Sequence, residues 1–180
     1  MHKLGSGQLR GWRAQVFASA ALLIATVVSG CAPEADVTLP TTSVSSTVTE
    51  SGGGSVTSYD VDELSLRFDL PQNYAAVDND ELVFLARSSE PPSIFSIDRE
   101  ESGIVHDPEP GESVSEMRLG DIDAQVVTNA VLDGLPPGVA ANELLVDNGP
   151  QSFSVIMSAN PSDLADMWDR FIASIEVEPA

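Results

Sequence analysis

Glu143-Leu144-Leu145-Val146-Asp147-Asn148-Gly149-Pro150-Gln151-Ser152-Phe153-Ser154-Val155-Ile156-Met157 is the stretch on which the fold turns. Two largely apolar runs flank Asp147-Asn148-Gly149-Pro150. Asn-Gly supplies the positive φ angles of a tight hairpin, so the spacing predicts antiparallel strands over 143–146 and 152–157. Just beyond, Asn160 suits an N-cap, Pro161 suits the first helical position, and Asp163 and Asp166 favour the positive end of the helix dipole. Leu164, Met167, Trp168, Phe171, Ile172 and Ile175 then recur at steps of three and four, leaving Asp166, Asp169 and Arg170 outward. That polar face is acidic, whereas a helix lying on a membrane carries Lys and Arg, so the helix is expected to pack across a sheet. Strands followed by one helix define an α+β domain, an antiparallel sheet packed by a C-terminal amphipathic helix.

Upstream, Leu64, Leu66, Phe68 and Leu70 alternate with Ser65, Arg67 and Asp69, the period of a strand with one wet face, ended by Pro71-Gln72-Asn73. Leu82 to Ala86 is a continuous apolar run, short enough for a strand buried on both faces. Glu90-Pro91-Pro92 breaks the chain before a strand at Ile94 to Ile97, and Asp107-Pro108-Glu109-Pro110-Gly111 is loop by composition. Ile122 to Leu132 fits a helix capped by Asp121 and closed by Gly134, but Val126, Val127, Thr128 and Val131 favour a strand, which is the reading adopted. Leu135-Pro136-Pro137-Gly138 is a turn.

The first half of the chain reads differently. Met1 to Arg13 holds Lys3, Arg10 and Arg13 and no acid, and Val16 to Val28 holds no charge, the pattern of an export signal over residues 1–30. The apolar run is shorter than the roughly 20 residues that cross a bilayer. Ala32 to Ser58 contains twelve Ser or Thr residues and Gly52-Gly53-Gly54, so residues 31–58 are expected to be a disordered linker, with the folded domain over 59–180.

Val28-Ser29-Gly30-Cys31, placed directly after that apolar run, resembles the lipobox of bacterial lipoproteins. The resemblance implies cleavage before Cys31, a diacylglyceryl thioether on its sulfur, and a lipid anchor on the extracytoplasmic face of the cell membrane. Cys31 is the only cysteine, so it has no partner within the chain. Cleavage would leave five arginines and no lysine against 28 acids, a net charge of −23. Such a charge opposes nucleic-acid binding, which rests on Lys and Arg displacing counterions. It leaves metal ions, basic peptides or a protein with a basic patch as candidate partners, beside the reading that the acidity serves solubility alone.

Leu66-Arg67-Phe68-Asp69-Leu70-Pro71, Ser93-Ile94-Phe95-Ser96-Ile97-Asp98-Arg99 and Met167-Trp168-Asp169-Arg170-Phe171-Ile172-Ala173-Ser174-Ile175 are similar to segments of PsbP-like lipoprotein domains. The family's glycine-tryptophan after the first proline is replaced here by Asn73-Tyr74. The resemblance implies an antiparallel sheet with flanking helices and a binding or assembly role, and it transfers no catalytic residue.

Catalytic, cofactor and metal sites are therefore not expected. His106 sits beside Asp107-Pro108 and reads as a solvated loop residue, and no G-x-S-x-G supplies a nucleophile elbow. Asp78-Asn79-Asp80-Glu81 and Asp121-Ile122-Asp123 are the densest oxygen clusters, but they lack the glycine and the position-twelve glutamate of a calcium loop and read as surface turns. The rival to a binding module is a cell-envelope hydrolase working through a pair of carboxylates.

Overall fold

A computed structural model describes residues 43–51, 54–103 and 105–180, so the expected signal peptide, Cys31 and the segment 32–42 lie outside the described residues. The elements in chain order are β1 (Val44–Ser51), β2 (Gly54–Val61), β3 (Leu66–Pro71), β4 (Ala75–Ala76), β5 (Phe84–Ser89), β6 (Pro92–Arg99), β7 (Ser113–Leu119), β8 (Ile122–Thr128), β9 (Ala140–Asp147), β10 (Phe153–Ala159), α1 (Pro161–Ser174) and β11 (Glu176–Val177). They form an α+β unit spanning Thr42–Val131 and Pro137–Ala180. Residues 132–136 are a loop containing Gly134 at φ 83°.

All strand pairings are antiparallel, in a four-stranded sheet ordered β1-β2-β3-β11 and a seven-stranded sheet ordered β4-β5-β6-β10-β9-β8-β7. Alternation in the sequence sets which side chains meet between them. Leu66, Phe68 and Leu70 of β3 turn inward, as do Tyr59 and Val61 opposite them on β2. From the larger sheet, Phe84, Phe95, Ile97, Leu144, Phe153, Val155 and Met157 join the same core. Helix α1 adds Leu164, Trp168 and Phe171 to it, with Ile175 just past its end, while Asp166, Asp169 and Arg170 stay outward. The rings interlock, with Phe68 centred 5.0 Å from Phe95 and 6.0 Å from Phe171, and Phe95 5.1 Å from Phe171. Each such pair adds about 0.5–1.5 kcal/mol beyond area burial.

The strand expected from Leu64 starts instead at Leu66 and includes Pro71, because Asp62–Leu64 form a turn of 3-10 helix and Ser65 takes a positive φ of 49°. The strand expected over 122–132 opens at Ile122 but ends at Thr128, where Asn129 takes a positive φ of 55°. Phe84, Leu85 and Ala86 are buried on both faces of β5, although that strand starts at Phe84 rather than Leu82.

Two further expectations are corrected. Within the segment 31–58, expected as a disordered linker, residues 44–51 and 54–58 are strand, in β1 and in β2. Its hydroxyl content signals solvation, but Thr and Val also favour strands, and pairing with β3 satisfies the β2 backbone. Ser58 Oγ also donates to Asp69 Oδ1 at 2.6 Å. The β9–β10 connection is not a two-residue turn. Asn148 has φ −114°, only Gly149 is positive at 59°, and Gly149–Gln151 make one turn of 3-10 helix. Asn148 instead grips the C-terminal tail, donating to Glu178 O at 3.0 Å and accepting from Ala180 N at 3.1 Å. Asn160 stands at the N-cap and Pro161 at the first helical position, as expected, although the Asn160 side chain makes no capping bond; its carbonyl accepts from Asp163 N and Leu164 N, both at 3.0 Å.

Candidate functional site

Connecting β6 to β7 requires the chain to pass β10, β9 and β8, because β7 lies at the far edge of the seven-stranded sheet. The crossover, described over residues 100–103 and 105–112, runs on the face opposite the aromatic core. That face carries buried Leu85, Val127, Ala141, Glu143, Leu145, Ser154 and Ser158. The crossover is pinned along its length. Ser154 Oγ donates to Glu100 Oε1 at 2.8 Å, Glu100 N donates to Ser152 O at 2.9 Å, and His106 N donates to Gln125 Oε1 at 3.0 Å.

Its last anchor is Glu112, whose side chain is 1% exposed beside a His106 side chain 8% exposed. Glu112 Oε2 lies 2.6 Å from His106 Nε2 and accepts Glu109 N at 2.7 Å, while Oε1 accepts Val131 N at 2.7 Å. Burial pushes the Glu112 carboxyl up. The Val131 and Glu109 amides, with the hydrogen bond and charge of His106, more than offset this and hold it below the ordinary glutamate value.

This corrects the reading of His106, which is a buried, paired side chain and not a solvated one. Composition marks 107–111 as loop, but only the fold shows that the loop turns back so that Glu112 meets His106 six residues earlier. Glu112 itself was missed by sequence reasoning, since one acid among 28 carries no mark of its own. Chemically the cluster is a strut. A general acid at neutral pH needs a raised carboxyl pKa, and an accessible base needs an open ring face; this pair has a lowered carboxyl and a covered ring.

The other singled-out acids are surface groups. Asp78, Asp80 and Glu81 are exposed around Asn79, whose Oδ1 accepts Glu81 N and Leu82 N, both at 2.7 Å, closing a local turn. Asp123 pairs with Arg118 at 3.1 Å, and the Arg118 guanidinium also reaches Asp121 O at 2.9 Å. Among the described residues no group of three His, Cys, Asp or Glu side chains is placed to hold a metal, and no helix is long and apolar enough to cross a membrane. A small cleft beside Glu100, Glu101, Asp147 and Phe153 has a volume of about 10 Å³, water-sized and far below the roughly 300–1,000 Å³ of small-molecule sites.

Comparison with protein-family models, with curated proteins and with solved structures returns no match for this chain.

Proposed function

We propose that this chain is an extracytoplasmic lipoprotein, anchored to the cell membrane through Cys31, whose folded unit serves as a binding or assembly module similar to PsbP-like lipoprotein domains. The observation that carries the proposal is the order of basic start, uncharged run and Val28-Ser29-Gly30-Cys31. Two acyl chains on Cys31 suffice for stable anchoring, at about 0.8 kcal/mol per buried methylene. A cationic protein or peptide is the partner this charge selects, and nucleic acid is disfavoured.

The binding reading is preferred over a carboxylate hydrolase because Glu112, the buried acid whose partners are best defined, has its oxygens engaged by three donors and its pKa lowered. Cys31→Ala tests the anchor. Membrane fractionation and mass analysis of the N-terminus should show the wild type membrane-bound with acyl mass on Cys31, and the variant without either. Wild-type protein found wholly in the soluble fraction, with an unmodified thiol, overturns the proposal.

A further inference from the structure

Among the described residues β1 is bonded to a neighbour on one side only, and its pairing with β2 determines what the other side offers. Val44, Ser46 and Val48 lie opposite Val61, Tyr59 and Thr57, which all face the core. The two valines thus stand on the core side of the small sheet, but beyond its cover, 37% and 58% exposed. The backbone alternates as well. Asp62 N donates to Ser43 O, which assigns Ser43 and every second residue after it to the inner ladder. The N–H and C=O groups of Val44, Ser46 and Val48 therefore point outward, on the same residues whose side chains flank the core.

Ser43-Val44-Ser45-Ser46-Thr47-Val48-Thr49 carries no charge in a chain of net −20, and lacks the lysine, proline or inward charge that usually blunts an exposed edge. It is also symmetric about Ser46, with hydroxyl residues at both ends and valine two positions to either side. We infer that β1 is a homodimerisation edge, pairing antiparallel with β1 of a second copy about a two-fold axis through Ser46. In that register Val44 meets Val48 of the partner copy on both sides of the axis. The outward groups of Val44, Ser46 and Val48 then exchange hydrogen bonds, and the two small sheets merge into one. An isologous contact of this kind requires a self-complementary patch, and the palindromic run supplies it. The two Glu50 positions fall about 27 Å apart at roughly 3.4 Å per residue, several times the Debye length of about 8 Å. The inference does not depend on the lipid anchor.

Sedimentation of the full chain over a concentration series should show a monomer–dimer equilibrium that salt shifts toward dimer by screening the net charge. Ser46→Cys should cross-link on oxidation, because opposed residues of a hydrogen-bonded pair lie about 5.5 Å apart at Cα, within disulfide reach. The parent chain, whose one cysteine is Cys31, is the control, and Thr47→Cys should not cross-link because it faces Ser45 of the partner copy. Ser46→Glu sets like charges opposite one another on an exposed site and should weaken the dimer roughly fivefold without unfolding the monomer. A chain monomeric at every concentration and salt overturns the inference, as does Thr47→Cys cross-linking as fast as Ser46→Cys. Protection of the Val44, Ser46 and Val48 amides from hydrogen exchange in the monomer also overturns it, because the edge is then filled by the chain itself.

Discussion

A carboxylate taken out of water costs several kcal/mol unless its lone pairs are filled, and Glu112 fills them with Val131 N, Glu109 N and the His106 ring. Replacing it with glutamine keeps the shape but turns one acceptor oxygen into a donor facing donors. Glu112→Gln should therefore destabilise the unit by about 1–3 kcal/mol at neutral pH, read from denaturant melts. The pH dependence has a definite sign. Because the folded pKa is lowered, the contribution of Glu112 is present above the unfolded value and is lost as pH falls through the folded one. The wild type should lose stability through this acid range, and Glu112→Gln should lose less of it. Parallel acid limbs in the two proteins would show that the carboxylate is not the strut described here. At this scale the sequence was nearly silent. Residue type and neighbours mark His106 as loop, but burial comes from a backbone that turns over a sheet face assembled from distant strands.

Helix α1 is the element most legible in advance, because a period of 3.6 is a local property that packing only has to accept. Its buried stripe, Leu164, Trp168 and Phe171, is the apolar stripe of the sequence. Trp168, 4% exposed and 5.5 Å from Phe171 between ring centres, should cost about 3–5 kcal/mol when changed to alanine. Asp169→Ala on the outer face should stay within about 0.5 kcal/mol. Equal denaturant midpoints for the two variants would mean that the helix docks on another face. The β9–β10 hairpin was legible as two strands but not as a turn. Asn-Gly favours a two-residue connection, yet Asn148 is held by the C-terminal tail 30 and 32 residues away, a long-range contact that outweighs a local preference. The Ser/Thr-rich strands failed in the opposite direction. Composition reports the entropy of a segment alone, and β2 is ordered by a ladder it shares with β3.

For the whole molecule the dominant fact is a net charge of −20, with ion pairs such as Arg67–Asp60 at 3.7 Å and Arg99–Glu63 at 2.6 Å lying partly in solvent. Folding concentrates that charge, so monovalent salt should raise the melting temperature at pH 7 by screening. Asp78, Asp80 and Glu81 project from an Asx-type turn closed by Asn79, which leaves calcium no enclosing loop. Calcium and magnesium at matched ionic strength should accordingly shift the melting temperature equally. A calcium-specific rise of several degrees, abolished by Asp80→Ala, would instead make metal-dependent binding the leading account.

By itself the sequence determined what local physics decides: antiparallel strands from period-two alternation, the closing helix from its 3.6 period, the α+β class from their order, and the acidity of the surface. These depend on neighbours along the chain, and any packed structure must respect them. The tertiary structure alone decided that two sheets share the core, that β1 and β2 belong to one of them, and that residues 100–112 cross the second face with His106 locked to Glu112. Each of those features joins residues distant in sequence or a loop that returns on itself, and closing such contacts depends on which surfaces meet. No stretch of chain carries that information within its own length.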